Sequence, residues 1–233
     1  MNIDNTAKIS DNGEAFVINY LKKKAGAGNS KKIIFDVGAN VGTYINTIVK
    51  SFGASAEVHA FEPSAVTFKQ LSENIGNQKN ITLNNFGLSN AAEEKPIYYD
   101  HEKSGLTSLY QRQLSHYGIE MNMSETIRLE TLDAYCRSNN IETIFLLKVD
   151  VEGHELSVLQ GAKNMLAEKK IHAIQFEFGG TNIDARTYFK DFYLLLKDNY
   201  TIYRILSNGL YEIKKYTELQ EIFLYTNFLA IAR

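Results

Sequence analysis

The chain has 233 residues, a formal net charge of −2, 44% hydrophobic residues and a single cysteine. This near-neutral balance argues against a general nucleic-acid binder, because such proteins usually carry a basic excess. One cysteine excludes an intrachain disulfide, and the length suits one α/β domain. We therefore predict a single domain over residues 1–233.

The N-terminal segment has no basic region followed by an apolar run, so the sequence predicts no secretory signal. No apolar run approaches the roughly 20 residues that a membrane-spanning helix needs. These features predict a cytoplasmic protein with no membrane span. Phe16, Val17, Tyr20 and Leu21 recur at helical spacing before a Gly-rich turn, which predicts a helical extension within residues 1–30.

Apolar runs alternate with amphipathic segments in the first half of the chain. Pro63 ends the second run because proline cannot continue a strand ladder, and Ser64 is a suitable N-cap for the helix that follows. Strands joined by helices form parallel sheets with right-handed crossovers, so this half predicts an α/β fold. The predicted strands are 32–37, 57–61 and 81–88, and the predicted helices are 11–25, 43–52 and 64–75.

The second half continues the pattern after a less regular stretch. Residues 100–124 form a polar loop that is too long for an idle connector, so it is either a functional loop on the acceptor side or disordered. The connection over 208–216 is too short for a helical crossover, which makes the last strand antiparallel. The predicted strands are 95–99, 126–129, 145–149, 171–178, 201–206 and 223–231, and the predicted helices are 132–138, 156–165 and 188–196.

Carboxylates stand at the ends of four of the strands that should meet at one edge of the sheet. In an open α/β sheet, ligands bind beyond the carboxyl ends of the strands, so these residues predict one shared site. Along the chain the strand ends deliver Asp36 with Gly38 and Gly42, then Glu62, then Gly87, Leu88 and Ser89, then Asp150 with Glu152 and His154, and finally Glu177.

The turn after the first strand narrows the choice of ligand. A dinucleotide fold needs two further glycines where Asn40 and Thr43 stand, and the Asp36 carboxylate would repel a phosphate. No Gly-Lys-Ser/Thr follows, so a P-loop is excluded. A ligand with a cationic amino-acid end and a ribose fits better, because Glu62 is placed to accept both ribose hydroxyls. S-adenosylmethionine has these parts.

In this order and spacing, four segments of the sequence resemble the motif series of the FkbM-type methyltransferases. The resemblance implies a Rossmann-like class I methyltransferase fold, with a mostly parallel seven-stranded sheet, an antiparallel final strand and helices on both faces. It also implies S-adenosyl-L-methionine as the donor and O-methylation of a sugar, glycan or natural-product hydroxyl. The four segments are Phe35–Gly42, Phe61–Pro63, Gly87–Ser89 and Lys148–Glu155, and Leu159–Ala162 continues the last of them.

Carried over by position, the resemblance gives each strand end a role. The methionine end of the cofactor would lie against Asp36, Gly38, Ala39, Asn40 and Gly42, the ribose against Glu62, and the adenine beside Gly87, Leu88 and Ser89. Asp150 would face the transferring methyl group. The acceptor would meet Ser104, Ser108 and Glu177, with Asp150, Glu152 and His154 as candidate catalytic residues.

The chemistry leaves several alternatives open. A hydroxyl is a poor nucleophile until its proton leaves, so a base among Asp150, Glu152 and His154 is expected, but the sequence does not choose between them. Asp150, Glu152 and Glu177 are also suited to a hard cation such as Mg²⁺, although we predict no metal site. A nicotinamide-dependent oxidoreductase and a non-catalytic binding module on the same fold are the competing functions. The oligomeric state is not predicted.

Overall fold

The computed structural model describes residues 13–26, 31–101, 104–207 and 209–233. The strands are β1 (Lys32–Val37), β2 (Ala56–Phe61), β3 (Ile81–Asn84), β4 (Gly87–Leu88), β5 (Glu93–Tyr99), β6 (Met123–Glu130), β7 (Ile144–Val149), β8 (Ile171–Phe178), β9 (Tyr200–Leu206), β10 (Gly209–Glu212) and β11 (Thr226–Ala232). The helices are α1 (Glu14–Ala25), α2 (Thr43–Phe52), α3 (Ala65–Ile75), α4 (Leu132–Ser138), α5 (Glu155–Gln160), α6 (Lys163–Ala167), α7 (Thr181–Ala185) and α8 (Phe189–Leu196). None of the helices in these ranges is long and apolar enough to cross a membrane.

The central sheet has the strand order β10-β9-β11-β8-β7-β1-β2-β3. β3, β2, β1, β7 and β8 are parallel neighbours, whereas β11 runs antiparallel to both β8 and β9. The predicted fold class and the antiparallel final strand are therefore confirmed. The sheet has one strand more than the seven expected, because residues 209–212 return along β9 as a hairpin.

Helices cover both faces of this sheet, and the alternation of side chains along the strands explains why. On β1, Phe35 and Val37 belong to a core shared with α4, α5, α6 and α8, whereas Ile34 packs with α1, α2 and α3 on the other face. Asp36 shares the face of Ile34, so this carboxylate points into the α1–α2 layer. Both layers are built mainly from fully buried Ile, Leu, Val and Phe, which fixes the positions of the strand ends.

The third predicted strand, 81–88, is two separate strands. β3 ends at Asn84, and β4 belongs to a second sheet of order β4-β6-β5. Asn85 turns the chain by donating its side-chain amide to the backbone oxygens of Glu62 and Pro63, and Phe86 packs edge-on against Phe61. An apolar run that looks continuous in the sequence therefore crosses from one sheet to the other.

Two other predicted boundaries also differ. The helix expected over 156–165 is broken into α5 and α6 at Gly161, where a Cβ atom would lie 2.0 Å from the backbone oxygen of Ser89. β5 starts earlier than the predicted 95–99, and β6 extends beyond the predicted 126–129 at both ends, so β6 shortens the loop between the two strands. Within that loop, Ser108 forms an antiparallel bridge with Tyr98, and residues 102–103 lie outside the described residues.

Candidate active site

The turn after β1 brings two backbone segments unusually close together. Gly38 has a φ of +85°, and a Cβ atom there would lie 1.8 Å from the backbone oxygen of Asp150. The Asp150 amide in turn donates to the Val37 carbonyl at 3.0 Å. Only glycine is compatible with both the conformation and the contact, so Gly38 joins the ends of β1 and β7.

The rest of this turn binds the end of β2 and packs α2 against α3. The amides of Gly38 and Ala39 both donate to the Phe61 carbonyl, which ties the turn to the end of β2. Gly42, with a φ of +89°, packs where a Cβ would lie 2.8 Å from Ile75, so it seats α2 against α3. Ala39 and Gly42 therefore shape the turn from behind and do not line the cleft.

Glu62 stands at the end of β2 with its carboxylate already oriented. One oxygen accepts from the Asn40 amide and the other from the Ser64 amide, both at 3.0 Å. Each oxygen keeps a further lone pair, which suits a bidentate acceptor for two hydroxyls. Burial raises the pKa of Glu62 to about 7, against the lowering effect of the two amides.

Asp36 is enclosed more deeply than the sequence suggests. Its side chain is fully buried, and neither carboxylate oxygen has a hydrogen-bond partner among the described residues. The Lys148 ammonium lies 4.0 Å away. Burial raises the pKa of Asp36 to about 6, while Lys148 lowers it. Asp36 lies beneath the cleft and does not line it.

The cleft itself opens beyond the carboxyl ends of β1, β2 and β7. The space between its walls, counted together with the open solvent at its mouth, is about 900 Å³. Its apolar wall comes from the second sheet and includes Leu88, Ile97 and Leu129. The predicted site residues that line it are Gly38, Asn40, Glu62, Gly87, Leu88, Ser104, Ser108, Asp150, Glu152 and His154.

Asp150 and Glu152 lie on the turn that follows β7, and their pKa values are shifted in opposite directions. Burial would raise the pKa of Asp150, but the Lys148 ammonium at 2.9 Å outweighs it and holds that pKa below its ordinary value. Glu152 has a φ of +50°, and burial followed by the Asp150 carboxylate raises its pKa to about 8. Asp150 is therefore ionised at neutral pH, whereas most Glu152 side chains hold a proton.

Arg112 partly offsets the rise in the pKa of Glu152. Its Nη1 lies 3.2 Å from Glu152 Oε2, and its Nε lies 3.4 Å from Asp184 Oδ2 on α7. The guanidinium lowers the pKa of Glu152, and only 10% of the Arg112 side chain is exposed. An arginine from the long loop thus joins the turn after β7 to the helix after β8.

His154 has both ring nitrogens occupied. Nε2 lies 2.9 Å from Ser89 Oγ, and Nδ1 lies 3.2 Å from the Tyr110 hydroxyl. Burial lowers the pKa of His154 to about 4, so the ring is neutral at physiological pH. His154 therefore links Ser89, which follows β4, to Tyr110 in the loop. Ser89 contacts His154 but does not itself line the cleft.

Glu177 lies behind Asp150 and outside the cleft lining. It is 5% exposed, and its carboxyl group hydrogen-bonds to that of Asp150. Burial and then Asp150 raise the pKa of Glu177 well above its ordinary value. The opposite directions of these two pKa shifts favour a proton on Glu177 over a proton on Asp150.

Every second residue of the loop segment 108–112 contacts the turn after β7. The Ser108 hydroxyl donates to the Glu152 carbonyl at 2.7 Å, Tyr110 contacts His154, and Arg112 pairs with Glu152. Ser104 is held differently, because its hydroxyl accepts from the Leu106 amide. The segment therefore fastens the loop to the turn after β7, and loop residues from Ser104 to Leu109 line the cleft.

Sequence reasoning missed three charged residues. Lys148 carries a recognisable signal, since a lysine in an otherwise apolar buried strand must find counter-charges. Glu14 and Arg112 carry no local signal, because their partners lie far away along the chain. Among the described residues, no group of three or more His, Cys, Asp or Glu side chains is arranged to hold a metal ion.

The strand order and the strand-end cleft define a Rossmann-like class I methyltransferase fold. The model of the methyltransferase FkbM domain matches residues 36–204. The chain belongs to the FkbM methyltransferase family.

Three known proteins illustrate the relationship. Hexuronic acid methyltransferase AglP of Haloferax volcanii is 30% identical over 168 residues, which cover 72% of this chain and 64% of that protein. Methyltransferase sdnD of Sordaria araneosa is 29% identical over 158 residues, covering 57% of this chain and 61% of that protein. The chain thus spans less than two thirds of the length of both relatives. The METTL16 MTase domain has a TM-score of 0.51 at 8% identity and covers 94% of this chain and 67% of its own, which is a likeness of fold alone.

Proposed function

We propose that the protein is an S-adenosyl-L-methionine-dependent O-methyltransferase that acts on a hydroxyl of a sugar, glycan or similar small acceptor. The observation that carries the proposal is the pairing of Gly38 and Glu62 at one cleft with Asp150 and Glu152. The hexuronic acid methyltransferase in the same family supports a sugar acceptor. The expectation of a cytoplasmic protein stays a prediction.

The cofactor half of the cleft fits the donor in three respects. Glu62 offers a free lone pair on each oxygen for the ribose hydroxyls. Leu88, Ile97 and Leu129 provide an apolar wall suited to an adenine ring. The carboxylates of Asp150 and the buried Asp36 give the methionine end a negative environment, which suits its ammonium and sulfonium charges.

The acceptor half lies between the turn after β7 and the loop segment 108–112. The bound donor supplies an electrophilic methyl group, so the protein must align a hydroxyl with it and remove one proton. We assign the base to Glu152, because a base with a pKa near the working pH is the most effective and the pKa of Glu152 is raised to about 8. Asp150 stays ionised and orients the reacting groups.

His154 is a poorer choice of base. A pKa of about 4 makes it a weak proton acceptor, and both of its nitrogens already have hydroxyl partners. Burial and Asp150 raise the pKa of Glu177 well above its ordinary value, which suits a supporting role behind Asp150. We therefore place His154 and Glu177 as residues that shape the acceptor side.

Calorimetry with S-adenosylhomocysteine tests the cofactor half directly. We expect saturable binding to the wild-type protein at one site, and the absence of binding would overturn the proposal. Radiolabelled methyl transfer to a panel of neutral sugars, uronic acids and their glycosides tests the acceptor half. Binding without transfer to any acceptor would favour the binding-module alternative.

A further inference from the structure

A lysine lies in the middle of the central sheet directly below the cleft. Lys148 on β7 pairs across the strands with Asp36 on β1 and Gln175 on β8. It is 5% exposed, and its neighbours along the strand are fully buried apolar residues. A buried ammonium is costly unless it is paired and hydrogen-bonded, so its partners are informative.

The partners of Lys148 come from three different elements. Its ammonium lies 2.9 Å from Asp150 Oδ2 at the cleft, 3.6 Å from Glu14 Oε1 on α1, and 4.0 Å from Asp36 Oδ1. It also lies 4.8 Å from the centre of the Tyr44 ring on α2. These contacts hold the ammonium from several sides. Asp150 is the partner that lies at the cleft.

Glu14 holds this arrangement from outside the region that matches the family model, which begins at residue 36. It is the first residue of α1 and is 4% exposed. The Gln175 amide donates to Glu14 Oε1 at 3.4 Å, and the Tyr44 hydroxyl donates to Gln175 at 3.2 Å. The N-terminal helix thus contributes a buried carboxylate to a polar chain that ends at the cleft.

We propose that Lys148 and Glu14 are positioning residues for the transfer reaction: Lys148 holds the Asp150 carboxylate at the cleft, and Glu14 anchors Lys148 from α1. This inference rests on the proposed function and extends it to a helix beyond the matched domain. Neither residue lines the cleft, so both act through Asp150.

The physical reason is the surplus of carboxylates around Asp150. From the α1–α2 layer, Asp36, Tyr44 and Lys148 lie close enough to Asp150 to interact with it electrostatically. From the strand ends it faces Glu152, Glu155, Glu177 and Tyr225. Lys148 is the cation that Asp150 contacts among the described residues, so its loss would leave a partly buried carboxylate without a close counter-charge.

Double-mutant cycles on the full chain test the order Glu14, Lys148, Asp150. We expect Lys148→Met and Glu14→Ala each to lower kcat about tenfold or more, which corresponds to one pK unit or more of lost charge interaction. The KM for the acceptor should change much less, because neither side chain touches the cleft. Lys148→Arg keeps the charge and should recover most of the lost turnover.

The cycles distinguish positioning from general stabilisation. Lys148→Met should cost little more once Asp150→Asn is present, and Glu14→Ala should cost little more once Lys148→Met is present. Lys23→Met, on the exposed side of α1, is the matched control and should leave kcat unchanged. Thermal unfolding checks folding, and if Lys148→Met does not fold, the cycle of Glu14→Ala with Asp150→Asn decides.

Additive losses in these cycles, or wild-type kcat in Glu14→Ala and Lys148→Met, would overturn this inference alone. A wild-type protein that binds no S-adenosylhomocysteine would overturn the proposed function instead. The two failures are therefore separable in one set of proteins.

Discussion

At the scale of single residues, Gly38 shows how one missing side chain sets the geometry of the cleft. Its positive φ and its contact with the Asp150 backbone bring the ends of β1 and β7 together. The same contact fixes the distance between the cofactor turn and the proposed catalytic turn. A side chain here would separate the two.

We expect Gly38→Ala to lower the free energy of unfolding by about 2–4 kcal/mol, combining backbone strain with a clash. Gly53→Ala is the matched control, because Gly53 also has a positive φ but a Cβ there would meet no atom within 4 Å. Urea denaturation of both variants measures the difference. Equal losses would mean that the contact with Asp150 is not needed.

We expect substitutions of Glu62 to affect cofactor binding and substitutions of Glu152 to affect turnover. Glu62→Ala should weaken S-adenosylhomocysteine binding at least about tenfold, because it removes two charge-assisted acceptors and frees two backbone amides. Glu152→Gln should leave that affinity within about threefold while lowering kcat by about 10²-fold or more. Calorimetry and steady-state kinetics measure the two effects. Equal losses of binding would contradict these roles.

At the scale of elements, the loop segment 108–112 contributes to the electrostatics of the proposed acceptor side. Arg112 is the group that lowers the pKa of Glu152, which burial and Asp150 raise to about 8. A carboxylate base is active when ionised, so turnover should increase as the pH rises through that value. The loop therefore influences the base as well as covering it.

Removing Arg112 should move this pH dependence in a known direction. In Arg112→Ala the pKa of Glu152 rises further, so the acid limb of the kcat profile should shift to a higher pH than in the wild type. Arg137→Ala, at an exposed position on α4, is the control and should keep the wild-type profile. An unchanged acid limb in Arg112→Ala would contradict the assignment of Glu152 as the base.

Elements with long, continuous apolar runs were predictable from the sequence. β1, β2, β7 and β8 are mostly apolar and buried on both faces, and in β2 the proline two residues after the strand also marks where it ends. The boundary errors arise where tertiary contacts decide. Asn85 redirects the chain by donating to backbone oxygens of the neighbouring strand end. At the break between α5 and α6, the Ser89 backbone occupies the Cβ space of Gly161, so only glycine fits there.

The sequence located cleft residues at the strand ends and, in the long loop, Ser104 and Ser108, but it did not locate Arg112. Gly38, Glu62, Asp150 and Glu152 meet at one cleft because parallel strands deliver their carboxyl ends to one edge. Arg112 could not be placed, since its position depends on how a loop folds back over the sheet. The roles assigned to all these residues stay predictions.

At the scale of the whole molecule, the site accumulates buried acids whose pKa values are raised. Burial raises the pKa of Glu62 and of Glu155 to about 7, and that of Glu152 to about 8. The folded protein therefore holds protons on these groups that the unfolded chain has already released. The free energy of unfolding must then fall as the pH rises through these values.

We expect the stability of the ligand-free protein to decrease between about pH 6.5 and about pH 8.5, by up to about 1.4 kcal/mol per pH unit for each proton involved. His59 and His154 oppose this decrease at the acid end of the window, because burial lowers their pKa values and the unfolded chain binds more protons on them there. Urea unfolding at several pH values measures the slope. Glu152→Gln should flatten it near pH 8, and a stability that rises with pH would contradict the assignment.

The antiparallel direction of β11 has a consequence for how new specificities can arise. Because β11 runs opposite to β8, it begins at the edge where β8 ends, and Asn227 pairs with Glu177. The residues that enter β11 therefore adjoin the acceptor side, although they lie far along the chain from the turn after β1. Substitutions in the residues that lead into β11 would therefore change the proposed acceptor side without changing the N-terminal half of the chain, which forms the proposed donor site.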